Sequence, residues 1–341
     1  MKTDRDIRSC SPAPLHFFRT LAALIAVVGA GNALAQVPGG TAYPLKPVRI
    51  VVGFAPGGGT DIVGRIVAQK LSEAMGQSFI VDNRPGASST IATAQVAKAV
   101  PDGYTLIIGA PTSHSVMPLL MVGKVGYDPL RDFAPITILA TTPALLAVHP
   151  SVPVRSIADL VKLAKSRPGG LTFGAGGIGT GPHMAGELFK QMASVDMLFV
   201  PYKGEGPAIS DLVGGQISLM FANVVAILPQ VRSGRLRGIA VTAPERVVTI
   251  PEYPTVAESG LPGFRADAWY GLLAPTGTPD NIIFKLNSEA VRMFASAELR
   301  DRLAAQGLFV RTSSPDQLTA LMKEELAKWG QVIQRAGIKA E

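Results

Sequence analysis

Twice along this 341-residue chain, a run of strand length empties into a glycine-rich loop and then into a helical pattern. That repeated unit points to parallel sheets covered by helices. In the first copy, the β-branched run Val48 to Phe54 leads to Ala55-Pro56-Gly57-Gly58-Gly59-Thr60-Asp61. Ile62, Val63, Ile66, Val67, Leu71 and Met75 then recur at helical spacing up to Gly76, a suitable C-cap, and Thr60 is a candidate N-cap. In the second copy, Leu171 to Gly174 feeds the loop Ala175 to Gly181 and a helix from His183 to Met192.

The alternation continues between and after these copies. Strands are expected at 78–82, 104–109, 197–201 and 217–221, and helices through Val96 to Ala99 and near 208–213. Ser156-x-x-Asp159 resembles a capping box, and Ser314-Pro315-Asp316-Gln317 reads as an N-cap followed by proline at the first helical position. The last helix carries Leu318, Leu321, Met322, Leu326, Trp329 and Ile333 on one face, which makes Trp329 a core residue. Two apolar, strand-like segments, 135–150 and 265–275, are the places where the chain crosses between two halves and returns. The resulting division is a first lobe from 42–140 and 270–341 and a second from 141–269. Loops at the carboxyl ends of strands in two facing α/β halves would line a cleft.

Residues 1–35 have the layout of a secretory signal peptide. Lys2, Arg5, Arg8 and Arg19 precede the apolar run Leu21 to Ala30, and Ala33-Leu34-Ala35 offers a cleavage site. The apolar run is shorter than the ~20 residues that span a bilayer, and Cys10 lies before it, where a lipid-attachment cysteine would be useless. Export by the general pathway is therefore expected. Cys10 is the sole cysteine, so the mature part has no disulfide, thiolate metal site or cysteine nucleophile. The net charge of +7 includes four basic and two acidic residues of the leader, a net +2, and the modest excess of +5 left to the mature part favours anionic ligands, but no Lys/Arg stripe with interleaved aromatics suggests nucleic acid.

The first glycine-rich loop looks built for an anion, because amides at a helix start are unpaired and carry partial positive charge. It lacks the lysine of a phosphate loop, so a carboxylate fits better than a nucleotide triphosphate. It equally suits a tight strand-to-helix turn with no ligand. Gly174 to Gly179 matches G-x-G-x-x-G and raises the alternative of an exported dinucleotide-dependent oxidoreductase, but Val200-Pro201-Tyr202 ends the next strand where an acidic residue is needed. His183 and Glu187 are four apart on a helix, with no second histidine to complete a metal site, so His183 bonds a loop group or a ligand oxygen. His114 and His149 are isolated, and neither a Ser-His-Asp set nor a G-x-S-x-G elbow is present. No reaction, metal or cofactor is expected.

Further motifs carry a resemblance. They begin with Tyr43-Pro44-x-Lys46-Pro47-Val48 running into Phe54 to Asp61, Asn83-Arg84-Pro85-Gly86-Ala87 and Pro101-Asp102-Gly103-Tyr104. Gly179-Thr180-x-x-His183-x-Ala185-Gly186-Glu187, Val200-Pro201-Tyr202-Lys203-Gly204 and Asp211-Leu212-x-Gly214-Gly215-Gln216 follow. Pro254-Thr255-Val256-Ala257-Glu258 and Trp269-x-Gly271-Leu272-x-Ala274-Pro275 complete the series. Together they resemble the Bug family, the periplasmic solute-binding proteins of tripartite tricarboxylate transporters, over nearly all of the mature chain.

The resemblance implies a two-lobed type II periplasmic binding fold, monomeric and without catalysis, that holds a small carboxylate in the cleft between lobes. Its implied partners are membrane permease components or a membrane sensor. By motif, the first lobe contributes Phe54, Ala55, Pro56, Gly57, Gly58, Gly59, Thr60, Asp61, Ala87, Ser88, Pro111, Thr112 and Ser113. The second contributes Gly179, Thr180, His183, Tyr202 and Asn223. This chain departs from the family at Ser88-Ser89, where glycine is usual; those hydroxyls either contact ligand or cap the helix, with capping favoured. It also has Ala222 where an acidic residue is frequent, which favours a ligand without an amine.

Overall fold

The computed structural model describes residues 43–339, so the expected signal peptide and Cys10 lie outside the described residues. In chain order the strands are β1 (Val48–Val52), β2 (Phe79–Asn83), β3 (Thr105–Gly109), β4 (Phe133–Thr142), β5 (Ala144–Val148), β6 (Thr172–Ala175), β7 (Leu198–Pro201), β8 (Leu219–Asn223), β9 (Arg237–Val241), β10 (Ala268–Pro275) and β11 (Phe309–Val310). The helices are α1 (Gly59–Met75), α2 (Thr90–Ala97), α3 (Met117–Leu120), α4 (Ile157–Ser166), α5 (Gly181–Ala193), α6 (Glu205–Val213), α7 (Val224–Arg232), α8 (Asp280–Met293), α9 (Ala297–Ala304) and α10 (Pro315–Ala336). A short π-helical stretch, Thr112–Val116, leads into α3.

The strands sort into two sheets, one for each lobe of a type II periplasmic binding fold. The first sheet has the order β11-β4-β10-β3-β1-β2, and the second β7-β6-β8-β5-β9. Both are mixed rather than parallel. β1 runs parallel to β2 and β3, and β6 parallel to β7 and β8, as their helical crossovers require. β10 is antiparallel to β3 and β4, and β5 is antiparallel to β8 and β9. These are the strands at the crossings. A chain that enters a sheet directly from the other lobe has no crossover helix to set it parallel, and the sequence pattern does not record that.

Pro143 alone separates β4 from β5, so the outward crossing is a single residue wide. The return runs through 242–267 before β10 begins, earlier than the strand-like pattern at 265–275 suggests. Fully buried Thr242 ties the two crossings together. Its hydroxyl accepts from the Ala144 N–H at 2.8 Å, and its carbonyl accepts from the Ala266 N–H at 3.1 Å.

Each sheet buries apolar side chains against its helices. Val51, Ile107, Trp269 and Leu273 pack with Leu318, Leu321 and Met322 of α10 in the first lobe. Phe173, Phe189, Leu219 and Phe221 form the corresponding cluster in the second. Trp329 and Val332, near the far end of α10, belong to that second cluster, so one helix feeds two cores. Full burial of side chains of this size contributes ~1.5–3 kcal/mol each.

Local signals set the helix ends. Gly76 ends α1 at φ 67°, a left-handed conformation that glycine adopts without a Cβ penalty. Ser314 and Gln317 form a reciprocal capping box at the start of α10. Ser156 accepts from the Asp159 N–H, but the Asp159 carboxylate turns one residue further back, to the Arg155 N–H.

Candidate functional site

Loops from both lobes and the crossing segments enclose a cavity of about 230 Å³. From the first lobe come Phe54, Gly58, Gly59, Thr60, Pro111 and Thr112; from the second come Thr180, Gly181 and Asn223. The sequence-predicted residues Phe54, Gly58, Gly59, Thr60, Thr112, Thr180 and Asn223 are thus brought to one space. None of the lining residues is lysine or arginine.

The start of α1 forms one wall. Its first intrahelical bond is Ile62 N–H to Gly58 O at 3.0 Å, so the amides of Gly59, Thr60 and Asp61 have no acceptor within the helix. Gly58 is the N-cap, in an extended conformation and with no side-chain cap. Thr60 is therefore not the N-cap expected from the sequence. The glycines let the helix begin one residue earlier than that threonine, leaving it inside the first turn. Gly59 is required for packing: a Cβ there would lie 2.3 Å from the Tyr270 hydroxyl. Opposite, α5 starts at Gly181 with Thr180 as N-cap. Two helix N-termini from different lobes thus border the same cavity, and each carries about half a unit of positive charge.

Asp61 turns away from the cavity and braces the loop. Its carboxylate accepts from the Gly57 N–H at 3.0 Å, Arg65 Nε at 2.9 Å and Asn83 Nδ2 at 2.9 Å. Burial pushes its pKa up, but the bonds from Arg65, Gly57 and Asn83 outweigh this and hold it below the usual carboxylate range. Ala55, Pro56 and Gly57 are exposed and are not part of the cavity wall.

Ser113 is fully buried, with its hydroxyl on Ala110 O and His114 Nδ1. His183 is also buried: Nδ1 accepts from the Gly179 N–H at 3.1 Å, and the ring lies 4.0 Å from that of Phe199. Burial, aided by Lys190, lowers its pKa to about 4. Nδ1 is thus the acceptor of a neutral ring that holds the 177–180 turn. Glu187 is paired separately with Lys190 at 3.1 Å. A Cβ on Gly179, at φ 75°, would lie 3.1 Å from Leu120 and 3.3 Å from Met117 and Val116 of the first lobe.

Ala87, Ser88 and Tyr202 line a second cavity of about 450 Å³ with Met117, Leu120 and Met121. The Tyr202 hydroxyl donates to Asp211 Oδ2 at 2.8 Å. Ala87, Ser88 and Ser89 lie at φ 43°, 53° and 74°, three consecutive left-handed residues with side chains. Neither serine makes the side-chain cap favoured by the sequence reading. The turn enters α2 left-handed, which aims the hydroxyls away from the helix amides. Glycine at these positions would avoid ~1–2 kcal/mol of strain per residue.

The glycines of 174–179 serve packing. Gly174 lies within β6, where a Cβ would be 2.4 Å from Ile217, and a Cβ on Gly176 would be 2.8 Å from the Gly204–Glu205 backbone. The helix that should follow a dinucleotide loop directly begins only at Gly181.

Sequence reading missed part of the cavity wall, notably Asp267, Tyr270 and Trp329. Asp267 and Tyr270 lay in a segment read as a crossing, and Trp329 was assigned only to the core. Glu205, just behind the wall, receives the Asn223 N–H at 2.7 Å and Asn223 Nδ2 at 2.9 Å. Its burial raises the carboxyl pKa against the lowering effect of those two bonds. Burial, with a smaller contribution from Glu205, likewise raises the phenol of Tyr270.

Comparison with known proteins gives a consistent set of likenesses. The profile of a family described as "Tripartite tricarboxylate transporter family receptor" matches residues 63–338. BugT of Bordetella pertussis is 34% identical over 319 residues, 93% of this chain and 98% of its own. The R. palustris protein Rpa4515, solved with adipate, is 39% identical with a TM-score of 0.77, covering 87% of this chain and 99% of that one. MatC from Rhodopseudomonas palustris, solved with bound malate, is 35% identical with a TM-score of 0.72, covering 85% and 100%.

Proposed function

Because this chain belongs to the tripartite tricarboxylate transporter receptor family, the Bug proteins, we propose that it captures a small carboxylate between its lobes and delivers it to a membrane permease of the tripartite tricarboxylate type. Its place is the periplasm, where it works as a monomer and turns nothing over. Presentation of the loaded protein to a membrane sensor is the variant of this role to which the same cavity is suited.

One observation carries the reading: the amides at the starts of α1 and α5, from opposite lobes, border one cavity that no lysine or arginine lines. A carboxylate there takes charge-assisted hydrogen bonds of ~1.5–3 kcal/mol each from fixed backbone groups. Since both lobes contribute donors, the ligand favours the closed arrangement over the open one. The adipate and malate in the solved relatives are small carboxylates of this kind.

The test is a thermal-shift screen of the mature protein against mono-, di- and tricarboxylates, with turnover assayed in parallel. A binder at a thousand times its Kd should add ~4 kcal/mol of stability. Absence of any shift across the panel would overturn the reading.

A further inference from the structure

The floor of the same cavity is acceptor-rich and anionic, which narrows the ligand class within the function proposed above. Asp267 is only 8% exposed and forms part of the wall. One of its oxygens accepts from Arg265 Nε at 3.1 Å, and among the described residues no other hydrogen bond reaches its carboxylate. Arg265 is not Asp267's alone. Its guanidinium also lies 3.4 Å from Glu324 and 4.0 Å from buried Glu325, which in turn pairs with Lys328. Arg265 is thus shared among three carboxylates, of which Asp267 alone belongs to the cavity wall.

Asn223 adds to this polarity. Glu205 takes both its backbone N–H and its side-chain Nδ2. A carboxylate can only accept, so one of the two Nδ2 N–H groups is held by Glu205, which fixes the orientation of the amide, and among the described residues no donor is bonded to Oδ1. Asn223 and Asp267 both flank the outward crossing: the Val224 N–H reaches Pro143 O, and Ala268 pairs with Thr142. Donors at the start of α1 therefore face a space whose floor offers acceptors.

We infer that the cavity selects carboxylates that carry an ammonium group, the carboxylate lying on the Gly58–Thr60 amides and the ammonium on Asp267 and Asn223 Oδ1. This reverses the expectation drawn from Ala222. That residue is buried in a core cluster beside Met220 and Val224, and the anionic partner comes instead from the residue just before β10, some forty-five positions later in the chain. Glu205 acts as a positioning residue. In Glu205→Gln, the new amide donates to Asn223 Oδ1, turning the Asn223 nitrogen into the cavity and inverting that contact.

The experiment measures melting shifts and calorimetric Kd for matched acids: aspartate with succinate, glutamate with glutarate, and 2-aminoadipate with adipate. In whichever pair binds, the amino member should bind at least about tenfold tighter. Asp267→Asn should shrink that ratio below about threefold, and Glu205→Gln should shrink it independently should the first variant fold poorly. A wild-type protein that binds the plain acid as tightly as its amino counterpart overturns the inference while leaving carboxylate capture intact. So does retention of the full ratio in either folded variant. If none of these six acids binds while another carboxylate of the wider panel does, the inference falls alone; if nothing in the wider panel binds, carboxylate capture fails with it.

Discussion

Gly58→Val separates ligand recognition from folding more cleanly than any other change in the α1 loop. Gly58 has φ −82° and ψ 168°, a conformation open to any residue, and a Cβ there meets no atom within 4 Å. The valine methyls would therefore enter the cavity rather than strain the turn. The stability cost is that of an apolar N-cap, about 1 kcal/mol or less. The binding cost is the loss of two charge-assisted bonds, ~3–6 kcal/mol, or at least a hundredfold in Kd. Gly59→Ala provides the contrast. Its Cβ would sit 2.3 Å from the hydroxyl of buried Tyr270, so overpacking of ~1–3 kcal/mol falls on stability itself. Urea denaturation and titration calorimetry with the best acid from the screen measure the two costs. A folded Gly58→Val protein that binds as tightly as its parent would refute a carboxylate site on these amides.

Four further outcomes are expected. Burial lowers the His114 imidazole to about 3, so the fold keeps it neutral while the unfolded chain protonates it. Its stabilising effect is present above the ordinary pKa of 6.5 and is lost as pH falls toward 3, at ~1.4 kcal/mol per unit; His114→Phe should show a shallower loss between pH 6.5 and 4.5 in urea melts. Ser314→Ala removes half of the capping box of α10 and should cost ~1 kcal/mol by the same assay. Ser88→Gly relieves a left-handed serine at φ 53° and, after the greater freedom of unfolded glycine is subtracted, should stabilise by roughly 0.5–1 kcal/mol. Saturating ligand should reduce the radius of gyration in small-angle scattering as the lobes rotate about the crossings; superimposable curves would indicate a preformed closed cleft.

What the sequence disclosed was whatever neighbouring residues decide among themselves. Gly76 as a left-handed stop and Ser314 with Gln317 as a capping box needed only a few positions, and both stand in the structure. The apolar strand cores followed from alternation and β-branching. Direction within the sheets did not, because β10 takes its neighbours from segments more than a hundred residues earlier. The cavity divides the same way. Its glycine-rich walls are local motifs, whereas Asp267 reaches the floor only once β10 pairs with β4, and Glu205 matters only because Asn223 lies beside it. The Ser88-Ser89 reading failed for a related reason: a left-handed entry to α2 cannot be inferred from residues that rarely adopt it.

The placement of α10 in two cores has a mechanical consequence. A rod seated at one end by Leu318, Leu321 and Met322 and at the other by Trp329 and Val332 couples the two cores mechanically. Any rotation of one lobe against the other would have to be accommodated at the sockets where the ends of this helix seat in their cores. Trp329 stands at one of those sockets and also forms part of the cavity wall. Its indole N–H is held by Glu325 Oε2 at 2.7 Å, so the ring is a fixed optical gauge, and its fluorescence should change as ligand turns that end of the rod.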